Sequence, residues 1–553
     1  MMTSTSTDGP VPALRWRLDD EQRGLVEALL ARAEADRVVE RLHARDDTLW
    51  GPAGQAEVAD RLGWLDAPAR AREQLDELRA LAETVVADGY TDLVLAGMGG
   101  SSLAPEVIWR WRLHHGQDAG RGLRLRLIDS TDPDAVATID AATEPERTLA
   151  LISTKSGGTV ETLSLFRHLW ERRPDGRAFV AVTDPGSGLE ALAAERGFRA
   201  TILGDPEIGG RFSALSPFGT VPAALVGADL DALVGSAADV LEEARRPLEE
   251  NAAVRLGVAI AALAIAGRDK LVLRVEDPAL AWFGLWLEQL VAESTGKHGH
   301  GVLPVVSDPA SHGFAIRTAA DRQVLALRGG EADPALDAAL AEAEAAGLPI
   351  LELDARGALG AAFVAAEVAT AVVGWAMGLN PFDQPDVQAA KDATRAVLAE
   401  VAEGEPLEPA PEAGAAAVLE LVDGLAAPEY LALLAYLPPS DDAAAALGRL
   451  RHVLAQRTDA VITIGFGPRY LHSTGQLHKG GPPTGRFLLL EHDPRASRAI
   501  PGEPYDFATL LGAQALGDHR TLRARGRPAL RLGLGSDWRE ALDALVDQIQ
   551  EDS

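Results

Sequence analysis

Residues 148–162, Thr148-Leu-Ala-Leu-Ile-Ser-Thr-Lys-Ser-Gly-Gly-Thr-Val-Glu-Thr162, hold the pattern that decides the fold. An apolar strand candidate ends in a turn with two glycines and a helix start follows, which is the repeating unit of an α/β protein. Glycines let a ligand approach the backbone, and the N–H groups of a helix start bind anions. We therefore interpret the turn, with its hydroxyls and Lys155, as a phosphate cradle without a metal. The alternative is that the hydroxyls only cap the helix.

Strand candidates of the same kind recur on both sides of this unit and are separated by amphipathic segments. This alternation predicts parallel sheets covered by helices. The candidates are residues 92–96, 123–128, 148–152 and 178–182, then 270–275, 303–306, 323–327 and 349–353, and finally 431–437, 460–465 and 487–490.

The pattern divides the chain into four regions. Apolar residues at three- and four-residue spacing predict a helical N-terminal segment over residues 1–88. We expect a first α/β domain with the phosphate-binding loops at 89–235 and a second at 236–401. Residues 402–414, rich in Glu, Pro and Gly, are typical of a flexible acidic linker. The region 402–553 as a whole is expected to complete the second domain.

Composition excludes several classes of protein. The 553 residues include 82 acidic and 52 basic ones, for a formal net charge of −30, whereas nucleic-acid binders need Lys and Arg for phosphate contacts. The absence of Cys excludes disulfides, thiolate metal sites and a cysteine nucleophile. The start of the chain lacks a signal-peptide pattern. Residues 256–267 are too short to span a membrane and 359–379 contain Glu367, so we expect a cytoplasmic protein that does not enter a membrane.

A second glycine-rich turn follows the strand candidate at 92–96. The stretch Leu95-Ala-Gly-Met-Gly-Gly-Ser-Ser-Leu-Ala-Pro105 again joins a strand to a helix, and its serines add hydroxyl donors. A tight turn without a ligand is the alternative. The spacing around Gly100 lacks the third glycine of a dinucleotide fingerprint, so we expect no NAD site.

Two further segments carry charged groups. In Gly209-Gly-Arg-Phe-Ser-Ala-Leu-Ser-Pro-Phe-Gly219 the glycines free the backbone around Arg211, whose guanidinium suits an anionic oxygen, although an exposed Arg is often only solvated. In Gln289-Leu-Val-Ala-Glu-Ser-Thr-Gly-Lys-His-Gly-His-Gly301, Glu293 comes near the end of an apolar helix, where a partly desolvated carboxylate can act as a general base. The two histidines of this segment have too few companion ligands to predict a metal site.

The last two segments contribute a lysine and a histidine. Asn380-Pro-Phe-Asp-Gln-Pro-Asp-Val-Gln-Ala-Ala-Lys391 has an irregular start fixed by two prolines, and Lys391 falls in the early turns of the helix that follows. Arg469-Tyr-Leu-His-Ser-Thr-Gly-Gln-Leu-His-Lys-Gly-Gly-Pro482 presents His472 in a glycine-rich loop, with a packed core histidine as the alternative. All but one of the chain's five lysines fall within these six segments.

Together the six segments resemble phosphoglucose isomerase, also called glucose-6-phosphate isomerase. The resemblance covers residues 95–482 in patches and rests on Ser-Thr-Lys-Ser-Gly-Gly-Thr-x-Glu-Thr, Glu-Ser-Thr-Gly-Lys and Asn-Pro-Phe-Asp-Gln-Pro. It implies an α/β fold of two sugar-isomerase (SIS) domains, each a parallel sheet sandwiched by helices, after the helical N-terminal segment. Several segments are most similar to actinobacterial-type isomerases, including those fused to transaldolase. We expect no transaldolase barrel in this chain.

The resemblance also implies a role for each matching residue. Glu293 matches the base that moves a proton between carbons 1 and 2, and Arg211 matches the residue that steadies the cis-enediolate and keeps water off the sugar. Lys391 and His472 match the pair that opens the sugar ring. The remaining matches contact the substrate, with Gln289 and Gln384 at the sugar and Gly100, Ser101, Thr154, Lys155, Ser156 and Thr159 at the phosphate.

One departure concerns the order of the motifs. In the usual family order the histidine precedes the lysine, whereas here His472 follows Lys391. We favour His472, with its His-Ser-x-x-Gln pattern, over His312, whose neighbours lack that pattern. In the family this histidine comes from the neighbouring subunit, so the resemblance implies a homodimer with shared active sites. It implies neither a cofactor nor a metal.

The residues and the resemblance together predict an aldose–ketose isomerase that interconverts glucose 6-phosphate and fructose 6-phosphate through a cis-enediol(ate), in glycolysis and gluconeogenesis. Proton transfer next to a carbonyl needs a positioned base and electrostatic stabilisation, and no cofactor. Two alternatives stay open. One is a dual phosphoglucose and phosphomannose isomerase, because the choice between epimers depends on pocket shape. The other is a non-catalytic SIS regulator that binds sugar phosphates and needs only the phosphate loops.

Overall fold

From Ala13 onward, the N-terminal segment consists of a strand followed by helices. The computed structural model describes residues 13–116, 122–306, 318–355, 357–412, 414–495 and 497–552. The first elements are β1 (Ala13–Arg17), α1 (Asp20–Ala35), α2 (Val38–His43) and α3 (Ala67–Ala87). The helical segment predicted for residues 1–88 is therefore wrong at Ala13–Arg17. That strand pairs with residues 350–354, a partner that no local pattern reveals.

The first sheet has five parallel strands. Its elements are β2 (Asp92–Gly97), α4 (Leu103–His114), β3 (Arg124–Ile128), α5 (Pro133–Ala142), β4 (Thr148–Ser153), α6 (Val160–Arg172), β5 (Phe179–Thr183), α7 (Gly188–Arg196), β6 (Ala200–Leu203), α8 (Pro217–Leu225) and α9 (Leu230–Glu243). The strand order is β3-β2-β4-β5-β6, and every residue of β2 and β4 is buried. Continuous apolar runs of this kind suit strands covered on both faces. Because Gly97 and Ser153 are paired in register, the turns after these two strands lie side by side.

The second sheet also has five strands and includes the N-terminal one. Its elements are α10 (Ala252–Ile265), β7 (Lys270–Val275), α11 (Phe283–Thr295), β8 (Leu303–Val305), β9 (Arg322–Arg328), α12 (Pro334–Ala345), β10 (Ile350–Asp354), α13 (Leu359–Met377) and α14 (Val387–Ala402). The order is β1-β10-β9-β7-β8, and β1 alone runs antiparallel to its neighbour. Among the described residues, one helix, α13, is long and apolar enough to span a membrane, and its residues from Leu359 to Ala376 are all buried.

The C-terminal region carries a third sheet of four parallel strands in the order β12-β11-β13-β14. Its elements are α15 (Ala415–Val422), β11 (Tyr430–Tyr436), α16 (Asp441–Ala455), β12 (Val461–Phe466), α17 (Gly475–Gly480), β13 (Gly485–Glu491), α18 (Phe507–Ala524), β14 (Ala529–Gly533) and α19 (Trp538–Glu551). One hydrophobic cluster joins this sheet to α15, α16 and α19. Another joins residues such as Tyr430 and Phe487 to Val324 and Ile350 of the second sheet. The region expected to complete the second domain thus forms a sheet of its own that packs on the second.

The predicted fold class, α/β with parallel sheets flanked by helices, is confirmed. The predicted boundary between residues 235 and 236 falls inside the continuous helix α9, whereas the one after residue 401 lies at the end of α14. The three sheets bring the six segments of the sequence together at one place, because the segments lie in turns and helix ends between the sheets.

Candidate active site

The two glycine-rich turns meet at the carboxyl ends of β2 and β4. A Cβ atom on Gly97 would lie 2.8 Å from the carbonyl oxygen of Ser101 and 3.1 Å from that of Ser153, so only glycine fits between them. Ser101 and Thr154 are buried, and Oγ1 of Thr154 lies 2.8 Å from Oγ1 of Thr159. Adjacent hydroxyls next to the starts of α4 and α6 form a site that can hold a phosphate.

Lys155 is turned toward a neighbouring loop. Its Nζ pairs with the carboxylate of Asp184 and lies 3.4 Å and 3.3 Å from the carbonyl oxygens of Asp205 and Pro206. Ser156 is exposed, and its hydroxyl accepts a hydrogen bond from the backbone of its own turn. The Lys155 ammonium thus ties the turn after β4 to the loop that leads to Arg211, and the hydroxyls of the turn are the groups left to face a phosphate.

Arg211 is buried and clamps the loop 380–384. Its Nη2 donates to the carbonyl oxygens of Pro381 and Asp383, both at 2.8 Å, and its Nη1 donates to Oε1 of Gln384 at 2.9 Å. Nε donates to the hydroxyl of Ser294 at 2.9 Å. Burial lowers the pKa of Arg211, and the nearby carboxylates oppose this effect. The planar guanidinium uses its separate N–H groups on four partners, which a lysine cannot do.

Glu293 lies beside Arg211 on the last turns of α11. Oε1 of Glu293 is 3.5 Å from Nη1 of Arg211, and both side chains are buried. Gln289, one turn earlier on the same helix, donates its Nε2 to Oε2 of Glu293 at 3.2 Å and to the carbonyl oxygen of His472 at 2.9 Å. The carboxylate therefore has a cation at one oxygen and an amide donor at the other.

His472 ends a short helical turn that follows β12 and contacts the first sheet's helix α6. Its Nε2 lies 2.9 Å from Oε1 of Glu161, which also accepts a hydrogen bond from Nε2 of Gln514 at 2.7 Å. Burial acts to raise the pKa of Glu161, but attraction to His472 and to Lys391 outweighs it and the pKa is lowered. Lys391 itself is exposed on the second turn of α14. The site thus contains an ionised carboxylate that orients an imidazole.

Gly99 and Gly100 occupy the point where these groups converge. Gly99 has φ +55°, and a Cβ there would lie 2.7 Å from Nε2 of Gln289 and 3.0 Å from the carbonyl oxygen of His472. A Cβ on Gly100 would lie 1.9 Å from the carbonyl oxygen of Gly210, next to Arg211. Because Gly99 and Gly100 have no side chains, the first glycine-rich turn can lie directly against Gln289 and against the backbones of His472 and Gly210.

A second buried cation supports the loop 380–384. Nζ of Lys297 donates to the carbonyl oxygens of Asn380 and Asp383, both at 2.7 Å, and pairs with Oδ1 of Asp383 at 2.6 Å. Burial lowers the pKa of Lys297 to about 8. Lys297 and Arg211 thus fix the position of Gln384 from two sides.

Six of the twelve sequence-predicted site residues lie together in the structure. Glu293, Arg211, Gln289, Gln384 and His472 form one contiguous set of contacts, and Gly100 lies against it. The hydroxyls of Ser101, Thr154 and Thr159 lie in the two neighbouring turns. Lys155 is paired with Asp184, and Ser156 and Lys391 are exposed.

The alternative histidine, His312, lies outside the described residues. Two partners were not predicted, Glu161 and Gln514. Glu161 could have been predicted from the sequence because it lies in residues 148–162, which hold the strand, the turn and the helix start. No local pattern indicates a role for Gln514.

The remaining histidines of the segments have structural surroundings. His298 and His300 are exposed. His478 is buried, its Nδ1 lies 2.9 Å from the hydroxyl of Tyr430, and burial lowers its pKa well below the usual value. Elsewhere, the ligand atoms of Asp132, Asp134 and His492 lie within 4.8 Å of one another. Oδ1 of Asp132 accepts hydrogen bonds from the backbone N–H groups of Asp134 and Ala135 at the start of α5, and Oδ2 pairs with His492. This cluster therefore serves as a helix cap.

Comparisons with known proteins agree on one family. The family model described as phosphoglucose isomerase matches residues 63–300. A glucose-6-phosphate isomerase of Rubrobacter xylanophilus is 33% identical over 422 residues, which is 67% of this chain and 95% of the relative. A glucose-6-phosphate isomerase of Thermus thermophilus is 34% identical over 261 residues, 44% of this chain and 58% of the relative.

Solved structures show the same fold. A glucose-6-phosphate isomerase of Chlamydia trachomatis superposes with a TM-score of 0.58 at 21% identity, over 75% of this chain and 92% of that one. A protein of Thermus thermophilus described as hypothetical superposes with a TM-score of 0.56 at 29% identity, over 70% of this chain and 100% of that one.

Proposed function

The chain belongs to the phosphoglucose isomerase family and interconverts glucose 6-phosphate and fructose 6-phosphate, and we propose that it does so at the site around Glu293, Arg211 and His472. The observation that carries this proposal is the buried carboxylate–guanidinium pair, with Oε1 of Glu293 and Nη1 of Arg211 3.5 Å apart. Such a pair offers a base and a fixed positive charge side by side, which enediolate chemistry requires.

The turns after β2 and β4 are proposed to hold the substrate phosphate. Their hydroxyls, from Ser101, Thr154 and Thr159, lie at two adjacent helix starts, where backbone N–H groups favour an anion. Ser156 is exposed beside them and is free to turn toward the phosphate. Lys155 adds positive charge to the region while its ammonium stays paired with Asp184.

His472 and Lys391 are proposed to open the sugar ring. Ring opening gives a proton to the ring oxygen and removes one from the hydroxyl on carbon 1. An imidazole and an ammonium group can each exchange a proton with the sugar. Both groups lie near Glu161, since attraction to His472 and to Lys391 lowers the pKa of that carboxyl. Glu161 would hold the imidazole in the orientation that the transfer requires.

Glu293 is proposed to carry the proton between carbons 2 and 1. The carboxylate takes the proton from carbon 2 of the open-chain aldose. The C–H electron pair forms the double bond between carbons 1 and 2, and the carbonyl pair moves onto the oxygen of carbon 1. Arg211 stabilises the resulting cis-enediolate. The hydroxyl on carbon 2 then gives up its proton while the oxygen of carbon 1 takes one up, and return of the proton from Glu293 to carbon 1 leaves the carbonyl on carbon 2 of the ketose. No electrons are gained or lost, so no redox cofactor takes part.

Two broader features belong to the same proposal. We place the enzyme in the cytoplasm, where its phosphorylated substrates occur. We also expect two chains to associate as a homodimer, as the family resemblance implies. Sedimentation at several protein concentrations measures this association directly, and a single species of one-chain mass at all concentrations would contradict it.

A coupled assay that starts from fructose 6-phosphate tests the activity. Glucose 6-phosphate and mannose 6-phosphate are scored separately, so the assay also distinguishes a dual isomerase. We expect glucose 6-phosphate to form. The variant Glu293→Gln should lose turnover by roughly 10²–10⁴-fold, the range for one general acid–base group.

Binding separates this role from a structural one. Glu293→Gln should still bind fructose 6-phosphate in a calorimetric titration, because the phosphate contacts are elsewhere. The matched control is Glu342→Gln on the exposed face of α12, which should keep full turnover. Near-wild-type turnover in Glu293→Gln would remove Glu293 from the mechanism.

A further inference from the structure

Gln514 is a buried polar side chain to which the proposed mechanism gives no role. It lies in the middle of α18, and only 2% of its surface is exposed. Burying an amide costs free energy unless its N–H groups and its oxygen find hydrogen-bond partners. The partners of Gln514 therefore indicate what this side chain contributes.

The side-chain amide of Gln514 connects two parts of the first α/β unit. Its Nε2 donates to Oε1 of Glu161 at 2.7 Å, and its Oε1 accepts a hydrogen bond from Oγ1 of Thr131, also at 2.7 Å. Thr131 is fully buried between β3 and α5, and Glu161 lies in the first turn of α6. The amide therefore bridges the loop after β3 and the helix that follows the second glycine-rich turn.

The chemistry of the partners fixes the direction of these two hydrogen bonds. An ionised carboxylate can only accept, so the amide turns its NH2 group toward Glu161. The amide oxygen then faces Thr131, whose hydroxyl donates to it. The reverse orientation of the amide would place its oxygen against the carboxylate, where both atoms are acceptors. Thr131 thus keeps the donor group of Gln514 directed at Glu161.

The oxygen of Glu161 that Gln514 contacts is also the one that faces the imidazole. Oε1 of Glu161 lies 2.9 Å from Nε2 of His472 and 2.7 Å from Nε2 of Gln514. Hydrogen bonds to a charged group are stronger than those between neutral groups, so the amide holds this oxygen in place. Because Gln514 contacts the carboxylate and not the imidazole, its role is the same whichever subunit of a dimer supplies the histidine.

The helix that carries Gln514 is itself held by buried polar contacts. One turn after Gln514, Oδ2 of Asp518 accepts from the hydroxyl of Tyr470 at 2.6 Å, and Oδ1 pairs with Nζ of Lys479 at 2.5 Å. All three of these side chains are buried. The helix also lies close against α14, which carries Lys391, since a Cβ on Gly517 would lie 2.9 Å from the backbone nitrogen of α14 residue 394. The backbone of Gln514 is therefore fixed relative to its partners.

We propose that Gln514 is a positioning residue for ring opening, which acts by fixing the carboxylate of Glu161 that orients the imidazole. Thr131 supports it by fixing the orientation of the amide. This inference rests on the proposed function, in which His472 takes part in opening the sugar ring. Loss of Gln514 should lower kcat and leave KM nearly unchanged, because the proposed phosphate contacts lie in other residues.

Steady-state kinetics of Gln514→Leu, alone and combined with Glu161→Gln, test the proposal. In the wild-type background, loss of a hydrogen bond to a charged group should lower kcat by at least about 10-fold. In the Glu161→Gln background the same change should lower kcat by less than about 2-fold, because the carboxylate through which Gln514 acts is absent. A purely structural role would lower kcat by the same factor in both backgrounds, and that result would overturn the proposal.

A second pair of variants tests the contribution of Thr131. Thr131→Val removes the hydroxyl and should lower kcat by about 3-fold, whereas Thr131→Ser keeps the hydroxyl and should regain most of that loss. Equal kcat in these two variants would overturn the role given to Thr131.

The matched control is Gln548→Leu, the same chemical change at an exposed position of α19, which should keep full turnover. Gln514→Met serves as a second variant if Gln514→Leu does not fold. Unchanged kcat in the Gln514 variant would overturn this proposal and leave the proposed function intact. Near-wild-type kcat in Glu161→Gln alone would instead overturn the role of Glu161 in the proposed function, and this proposal with it.

Discussion

Nε2 of His472 lies 2.9 Å from Oε1 of Glu161, although the two residues are 311 positions apart in the chain. One comes from the third sheet's region and the other from the first helix turn after the phosphate loop. Their contact links the group proposed for ring opening to the element proposed to bind the phosphate. A displacement of either element would therefore move the imidazole relative to the sugar.

Glu161→Gln should reduce kcat by about 10²-fold, the lower end for one general acid–base group, because an amide no longer fixes the imidazole by charge. KM should change little, since Glu161 is not placed at the phosphate. Steady-state kinetics measure both quantities. Glu171→Gln, exposed on the same helix, is the control, and equal kinetics in the two variants would contradict the role of Glu161.

Arg211→Lys should reduce kcat by about 10²–10³-fold, as expected for the loss of a preorganised donor to a developing oxyanion. A lysine keeps the charge but cannot contact Glu293, Gln384 and the loop carbonyls together. The kinetics of Arg177→Lys, at an exposed arginine in the short turn before β5, provide the comparison. Unchanged kcat in Arg211→Lys would show that catalysis does not depend on the planar arrangement of the guanidinium N–H groups.

Glu288→Gln should change how stability depends on pH. Burial raises the pKa of Glu288 to about 8 from an ordinary value of 4.5, with Arg469 acting in the opposite direction. Between these pH values the folded protein keeps a proton that the unfolded chain has released, so the free energy of unfolding falls as pH rises from about 4.5 to about 8. One pKa unit corresponds to about 1.4 kcal/mol.

Urea unfolding at pH 5, 7 and 9 measures this dependence. The neutral amide of Glu288→Gln imitates the protonated acid. The free energy of unfolding of the variant should therefore increase relative to that of the wild type as pH rises. Glu171→Gln should follow the wild type at all three values. If the free energy of unfolding changes equally with pH in the wild type and in Glu288→Gln, Glu288 is ionised in the folded protein.

Lys297→Met should show the opposite trend at higher pH. The pKa of Lys297 is lowered to about 8 by burial, from an ordinary 10.5. Between about pH 8 and pH 10.5 the unfolded chain holds a proton that the folded protein has released, so wild-type stability rises relative to the variant. Unfolding free energies at pH 7.5, 9 and 10 measure the difference. A difference independent of pH would contradict the lowered pKa.

Local patterns were sufficient for much of the fold. Apolar runs predicted the central strands of the sheets, for example 92–96 and 270–275, because buried parallel strands need continuous apolar sequence. β1, β6 and β14 were not predicted. β6 is short and half exposed, and β1 is defined by a partner far along the chain, so neither has a strong local signal.

The candidate site was predictable in its residue types and less so in its contacts. Glycines, hydroxyls and charged groups after strands marked the turns that form it. The direction of the Lys155 side chain depends on Asp184, which follows a different strand. The pairing of Gln289 with the His472 carbonyl depends on how the third sheet packs, and no spacing within one segment encodes that.

The pairing of β1 with β10 has a consequence for how the protein is made. Arg17 and Glu352, joined by a hydrogen bond across these strands, are 335 residues apart. At about 5–20 residues per second, the ribosome needs roughly 20–70 s to reach that partner after making the first strand. During that time β1 has no partner strand, although the residues of the first sheet have already been synthesised. His472 and Gln514 are translated later still, so the proposed site is completed only after the strands of the first two sheets have been synthesised.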